Sequence, residues 1–200
     1  MSVAIDTRNL KPGFAEPIFD AQATFRGILD ATAYPGRVQA LDRLADVPDL
    51  LMPATAAIVL TLLDFETPVW LDLENTSAAA NYIRFHAGSP LVSDTAICRF
   101  AILTTASEMP PLSAFSFGDD KYPDTSCTLI VQAPSLTSGK PMRWTGPGIQ
   151  HATTCSIDGL PDGFWQDWDD NHGLYPMGVD VIFVSGSDII GLPRGIRVEA

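Results

Sequence analysis

Apolar residues recur along the chain at two spacings, one typical of helices and one typical of short buried strands. In the segment 21–33, Phe25, Ile28 and Leu29 fall on one helical face, behind Asp20 as the expected N-cap. Helices are also predicted over 54–64, which is apolar nearly all round, and over 77–86 and 161–171. Short apolar runs predict strands over 67–73, 97–103, 127–131, 150–157, 179–184 and 194–198, and 142–144 leads into the Gly-Pro-Gly turn. Helices mixed with such strands indicate an α/β fold.

The order of these elements predicts one domain. The chain has 200 residues, and neither an internal repeat nor a Gly/Ser-rich linker divides it. Residues 1–18 contain Pro12-Gly13 and Pro17, so we expect them to form an irregular N-terminal arm. Residues 19–200 are expected to form a single α/β domain.

The charge balance narrows the class of partner. The chain carries 12 basic and 24 acidic residues, which gives a formal net charge of −12 at pH 7. Because no basic run exists to neutralise phosphates, we expect neither nucleic-acid binding nor attachment to an anionic membrane. A small phosphate ligand remains compatible with the sequence, since one or two arginines and a few backbone N–H groups suffice for it.

Targeting and cysteine signals point to the cytoplasm. The first ten residues include Asp6 and Arg8 with few apolar residues, so they do not resemble a signal peptide. The longest apolar run, 54–63, is too short to span a bilayer. Three widely spaced cysteines without a CxxC pair favour reduced thiols over a disulfide framework.

The sequence contains no clear metal or cofactor motif. The three histidines are scattered and form no ligand pair, so no metal is expected. The lysines are Lys11 in the arm, Lys121 in a Gly/Asp-rich loop and Lys140 in a polar turn. A Schiff-base lysine normally lies in a dry pocket, which these positions do not resemble. We therefore expect no cofactor.

Asp180 is a candidate ligand-binding residue because it lies within a buried strand, and Arg194 is a further candidate. By alternation Asp180 points toward the face of Ile182 and Val184, away from that of Val181. It is either the acid of a site or a structural carboxylate paired with an arginine such as Arg194.

Arg26 and Arg37 flank the Pro35-Gly36 turn and are candidates for a phosphate or phosphonate fork. The structural alternative is a salt bridge with Asp20 or Asp30, of which Asp30 lies one helical turn after Arg26.

Two further groups have both a functional and a structural interpretation. Gly146 and Gly148 flank a proline, so they either let a ligand approach the backbone or simply form a turn with positive φ. Phe164, Trp165 and Trp168 share one face of a short helix and form either part of the core or the anchor of an interface.

Several short motifs occur in a fixed order between about residues 19 and 198. They are Gln22, Phe25-Arg26, Pro35-Gly36, Leu63-Asp64, 88–91, 146–149, Phe164-Trp165, Asn171, 176–180 and 192–194. Each motif is weak by itself, but in this order they resemble the PhnH family, a subunit of the carbon–phosphorus lyase system. One departure is Gly195-Ile196, where the family tends to have small hydroxyl residues.

The resemblance implies a cytoplasmic α/β protein with one mixed sheet, similar to the large domain of pyridoxal-phosphate-dependent transferases but without pyridoxal phosphate. It implies a homodimer that joins PhnG, PhnI and PhnJ in a core complex. Together with an ATP-binding-cassette-like subunit, that complex replaces the adenine of ATP by an alkylphosphonate. The product is a ribose 1-alkylphosphonate 5-triphosphate.

Because the resemblance places the chemistry chiefly on a partner, it implies that this chain is an accessory subunit. The alternative is a free-standing enzyme that binds a small phosphorylated substrate near Arg26, Arg37 and Asp180.

Overall fold

Helices and strands alternate along residues 10–200, the part of the chain that the computed structural model describes. The helices are α1 (Pro17–Ala33), α2 (Pro53–Leu62), α3 (Ala78–His86) and α4 (Phe164–Gly173). The strands are β1 (Gln39–Ala40), β2 (Val69–Leu71), β3 (Leu91–Val92), β4 (Phe100–Leu103), β5 (Thr128–Gln132), β6 (Pro141–Thr145), β7 (Thr153–Ser156), β8 (Asp180–Ser185), β9 (Asp188–Leu192) and β10 (Arg197–Glu199).

Helix α1 begins four residues before its predicted start. Pro17 occupies the first helical position, where a missing N–H costs nothing. Asp20 is therefore not the N-cap, and its carboxylate instead accepts a 2.9 Å hydrogen bond from the backbone N–H of Glu16. Of the expected N-terminal arm, residues 1–9 lie outside the described residues, and residues 10–16 form neither helix nor strand.

The buried face of α1 is narrower than its apolar pattern predicts. Ile28 packs into the core, whereas Phe25 and Leu29 are 45% and 48% exposed. Ile18 and Phe19 continue this exposed surface toward the start of the helix. Within residues 10–200, α1 therefore presents an apolar outer face that no other element covers.

Helices α2 and α3 follow the sequence pattern closely. Pro53 is the first residue of α2, which is apolar and buried through most of its length. Ser77 caps α3, because its hydroxyl oxygen accepts a 3.1 Å hydrogen bond from the backbone N–H of Ala80.

The larger sheet is mixed and has seven strands in the order β1-β9-β8-β5-β4-β2-β3. The strands from β8 to β3 are parallel, and β9 runs antiparallel to both β8 and β1. Within this larger sheet, the sequence pattern does not predict β1, β3 or β9. The first two have only two residues each, and Gly191 interrupts the apolar run of β9.

A second sheet, which the sequence pattern does not predict as a separate unit, contains three antiparallel strands in the order β10-β6-β7. The fold is therefore α/β as expected, but it combines a large mixed sheet with a small antiparallel one. The expectation of a single sheet is corrected in this respect.

The large sheet separates two apolar clusters. Val181 and Phe183 of β8 face the cluster that contains α4 and the small sheet, whereas Ile182 and Val184 face the cluster of α1, α2 and α3. Asp180 begins this strand, so it lies where the two layers meet at the end of the sheet. Among residues 10–200, no helix is both long and apolar enough to cross a membrane.

Candidate functional site

A polar cluster joins Asp180 at the start of β8 to Arg194, which follows β9. The β8–β9 hairpin pairs Val181 with Leu192 and so brings the two residues together. Nη2 of Arg194 lies 2.5 Å from Oδ2 of Asp180, and Nε lies 3.1 Å from Oδ1. The backbone N–H of Arg194 also donates to Oδ1, at 2.8 Å. The structural alternative considered for Asp180, a pair with Arg194, is therefore present.

All donors of the Arg194 side chain are used within the protein. Nη1 donates to the backbone carbonyls of Pro123 and Pro176, at 2.9 and 3.3 Å. Nη2 also donates to the hydroxyl of Ser126, at 2.5 Å. A guanidinium has five N–H donors, so none remains for a phosphate or phosphonate. Arg194 clamps the loop before β5 and the loop after α4 to the end of the sheet.

Asn171 fixes the backbone that leads into Asp180. Its Nδ2 donates to the carbonyl of Val179 at 3.1 Å, and its Oδ1 accepts from the N–H of the same residue at 2.8 Å. Gly178 has a φ of 119°, and a Cβ there would lie 2.8 Å from Oδ1 of Asn171. The motif residues from Asn171 to Asp180 therefore form one structural unit that positions the carboxylate.

The Gly146-Pro147-Gly148 turn approaches protein backbone closely. Gly148 has a φ of 82°, and a Cβ at this position would collide with the carbonyl oxygen of Ala33 at the end of α1. Gly146 has a φ of 143°, and its Cβ would lie 2.9 Å from the carbonyl oxygen of Gly195. Both glycines are required by positive φ and by close packing of neighbouring segments.

Three of the motifs, at 146–149, 176–180 and 192–194, contribute residues to one cleft of about 510 Å³. Its walls come from the end of α1, the loop before β5, the 146–149 turn, the loop after α4 and the segment after β9. Asp124, Pro147, Tyr175, Arg194 and Gly195 are among its lining residues. Four of the lining residues are prolines, which have no backbone N–H. The cleft therefore offers few backbone hydrogen-bond donors to a partner or ligand.

Arg26 and Arg37 are exposed and do not line this cleft. The guanidinium of Arg37 lies over the ring of Tyr34, 4.9 Å from its centroid. Within residues 10–200, neither arginine forms a salt bridge with Asp20 or Asp30, nor a hydrogen bond with Asp180. The structure therefore does not assemble these candidates into one site with Asp180 and Arg194.

The aromatic residues of α4 belong mainly to the core of the monomer. Phe164 and Trp168 are buried, and the indole N–H of Trp168 donates to the carbonyl of Ile196 at 2.9 Å. Trp165 is half-buried and packs edge-to-face on Phe164 and Trp144. Of the three interface candidates, only Trp165 keeps surface that a second chain can reach.

None of the three lysines lines the cleft. Lys11 forms a 2.5 Å salt bridge with Asp46, and this hydrogen bond raises the pKa of the ammonium group. Lys121 packs over the ring of Tyr122, and Lys140 is exposed. In the described part of the chain, no three His, Cys, Asp or Glu residues lie close enough to hold a metal ion.

Two of the cysteines, distant in sequence, are neighbours in the fold. The Sγ atoms of Cys98 and Cys127 lie 3.4 Å apart, and both side chains are buried free thiols. The hydrogen bond between them lowers the pKa of Cys98 and, together with burial, raises that of Cys127. They are buried in the core and do not line the cleft.

Sequence reasoning did not identify Asp124, Ser126 or Tyr175 as candidates. Asp124 and Tyr175 line the cleft, and Ser126 completes the Arg194 cluster. The Pro-Gly turn after Tyr175 was a visible signal, but nothing local marks Asp124 or Ser126.

Comparison with known proteins identifies the family. The chain matches the family model described as bacterial phosphonate metabolism protein (PhnH) over residues 12–199. It is 36% identical to the PhnH subunit of alpha-D-ribose 1-methylphosphonate 5-triphosphate synthase from Rhizobium meliloti (strain 1021), covering 93% of this chain and 94% of that subunit. It is also 27% identical to HtxG of Stutzerimonas stutzeri, which is named as a C-P lyase subunit, covering 89% and 85% of the two chains. The chain belongs to the PhnH family of bacterial phosphonate metabolism proteins.

Proposed function

We propose that this chain is an accessory subunit of a carbon–phosphorus lyase core complex. In that role it supports transfer of an alkylphosphonate onto the ribose of ATP, which yields a ribose 1-alkylphosphonate 5-triphosphate. The observation that carries the proposal is the 36% identity with a subunit of the Rhizobium meliloti synthase, which extends over 94% of that subunit. A chain that matches a subunit over nearly its whole length is expected to occupy the same place in an assembly.

The geometry at the end of the sheet supports an accessory role. Asp180 and Arg194 neutralise each other, and every donor of the arginine side chain is already used. Neither residue is therefore free to act as a base or as a ligand for an anion. A cluster of this kind stabilises loops, which is what a surface for partner subunits requires.

The alternative is a free-standing enzyme with a small phosphorylated substrate near Arg26, Arg37 and Asp180. Arg26 and Arg37 are exposed and lie outside the cleft, so they do not surround a shared pocket with Asp180. The geometry favours the subunit over this alternative.

The two functions are separated by one experiment with two measurements. A tagged chain is co-expressed with PhnG, PhnI and PhnJ, and the purified chain alone is assayed with ATP and methylphosphonate. We expect co-purification with the other subunits and no turnover by the chain alone. Failure to associate would reject the subunit role, and turnover by the isolated chain would support the free-standing enzyme.

We further propose that the chain forms a homodimer through the outer face of α1. Ile18, Phe25 and Leu29 lie on one side of this helix with the spacing of a helix–helix seam, and each is at least 45% exposed. A two-fold contact would bury this face on both chains. The half-buried Trp165 is the remaining candidate from α4.

We infer a likeness of the large sheet to the large domain of pyridoxal-phosphate-dependent transferases, supported by seven strands of which only β9 runs against the others. A chain without a lysine in the cleft is expected to be colourless when purified. Residence in the cytoplasm follows from the same proposed assembly.

A further inference from the structure

The cleft contains backbone acceptors that have no donor. It lies at the carboxyl end of α1, where Thr32 and Ala33 contribute to its wall. Among residues 10–200, no backbone or side-chain group donates to the carbonyl of either residue. Pro35, which follows the helix, has no N–H to offer. The end of a helix with free carbonyls carries a partial negative charge.

The polar side chains of the cleft, like the free carbonyls, favour a positively charged occupant. The hydroxyl of Thr32 already donates to carbonyls within α1, at 3.1 and 2.9 Å, and Arg194 has no donor left. Asp124 is exposed at the rim and forms no salt bridge within residues 10–200. The occupant is therefore expected to be a cation that also donates hydrogen bonds.

The shape of the cleft favours a flat group. Gly195 lines the cleft, and a single carbon placed there would contact Cε2 of Tyr175 at 3.7 Å and Cγ of Pro147 at 3.9 Å. Tyr175 is 67% exposed. A guanidinium is planar, stacks on aromatic rings and spreads its donors over several acceptors, whereas an ammonium is a compact point charge.

We propose that this cleft receives an arginine side chain from a basic surface of a partner protein. The guanidinium stacks on Tyr175, donates to the free carbonyls of Thr32 and Ala33 and faces Asp124. The net charge of −12 of the whole chain favours approach of such a surface. This inference rests on the proposed function, because it takes the partner to be another subunit of the complex.

A charge reversal at the rim tests the electrostatic part of the proposal. The affinity of the chain for the co-expressed PhnG, PhnI and PhnJ assembly is measured for the unmodified chain, for Asp124→Lys and for Asp120→Lys. Asp120 is an exposed neighbour that does not line the cleft, so it is the matched control. We expect Asp124→Lys to weaken association at least about tenfold and Asp120→Lys to change it far less.

A filling substitution tests the cleft itself without changing charge. Gly195→Leu places a side chain between Tyr175 and Pro147, and neither positive φ nor a close backbone contact opposes a Cβ there. Gly163→Leu, at an exposed glycine with open space around it, is the control. We expect only Gly195→Leu to weaken association, with both variants keeping the circular dichroism spectrum of the unmodified chain. Guanidinium chloride below unfolding concentrations should compete better than sodium chloride of equal ionic strength.

Each result bears on one claim. Unchanged affinity for Asp124→Lys and Gly195→Leu would overturn the proposal while leaving the subunit role intact. Loss of self-association instead of partner association would assign the cleft to a second copy of the chain and would also overturn it. Failure of the unmodified chain to bind the other subunits would reject the proposed function.

Discussion

Arg194 and Arg143 both pair with a carboxylate, but their surroundings differ. The side chain of Arg194 is 14% exposed and bonds to acceptors from several segments, whereas Arg143 and its partner Glu199 are 54% and 46% exposed. In a shielded cluster, removal of one partner leaves the other charge and several backbone groups without compensation. An exposed pair exchanges its bond for water at little cost.

Substitution of Arg194 should therefore be far more costly than substitution of Arg143. We expect Arg194→Ala to lower the free energy of unfolding by about 2–4 kcal/mol, since Asp180 keeps partial access to water. Arg143→Ala is expected to lower it by less than about 1 kcal/mol. Urea denaturation of both variants measures the difference, and equal losses would contradict the role of Arg194 as a clamp.

Tyr82 should make the stability of the fold depend on alkaline pH. Its side chain is buried, and burial raises its pKa from the usual 10.0 to about 12. The folded state therefore retains the phenol proton where the unfolded state has lost it. The resulting stabilisation is complete below about pH 10 and is lost as the pH rises through about 12.

Measurement of the free energy of unfolding between pH 9 and pH 12 checks this direction, and we expect the free energy to fall as the pH rises. Ordinary tyrosine and lysine side chains also titrate in this range. Tyr82→Phe removes the phenol, which donates to the carbonyl of Pro12 at 3.2 Å, and should flatten the pH dependence. A slope that is the same in the variant would show that another group is responsible.

At the residue scale, the sequence identified the pair but not its surroundings. The apolar run indicates that Asp180 lies on a buried strand, and an ion pair with an arginine such as Arg194 is one of the two interpretations of its carboxylate. Pro123 and Ser126 lie 71 and 68 residues from Arg194, so only the completed fold reveals them as its acceptors. The local spacing of residues likewise does not reveal that Arg26 and Arg37 are exposed.

At the element scale, length and neighbours decide what the sequence predicts. All four helices and the central strands have patterns of their own and were predicted, with boundaries shifted by a few residues. Strands β1 and β3 have two residues each and exist because a neighbouring strand supplies their hydrogen bonds. The spacing of α1 was identified, but which of its faces meets the sheet depends on tertiary packing.

The turn at 146–149 should tolerate no side chain at its second glycine. Gly148→Ala must strain a φ of 82° and also displace the backbone at Ala33, so we expect a loss of at least about 2 kcal/mol in the free energy of unfolding. Gly186 has a φ of 62° with open space around it, and Gly186→Ala should cost only about 1 kcal/mol. Thermal denaturation compares them, and equal costs would mean that φ alone matters.

At the scale of the whole molecule, three of the motifs that resemble a family, at 146–149, 176–180 and 192–194, meet although they are far apart in sequence. The end of α1, the loop before β5, the 146–149 turn, the loop after α4 and the segment after β9 surround one cleft. Because five segments form its walls, no local pattern predicts the cleft. The aromatic residues of α4 leave little exposed surface, because Phe164 and Trp168 are buried in the core. Helix α1 therefore has the larger exposed apolar face.

We expect the exposed apolar face of α1 to form the contact between two copies of the chain. Phe25 and Leu29 lie one helical turn apart on the outer side of α1, and a two-fold contact would bury both residues from both chains. Replacement of both by glutamate removes apolar area and places four like charges in one interface, so we expect the dimer to dissociate at least about a hundredfold more readily. The matched control is Phe65→Glu, because Phe65 is 74% exposed but lies outside α1. Light scattering gives the mass of each variant. A monomeric mass for the unmodified chain would reject the dimer, and a dimer that survives Phe25→Glu with Leu29→Glu would reject α1 as its contact.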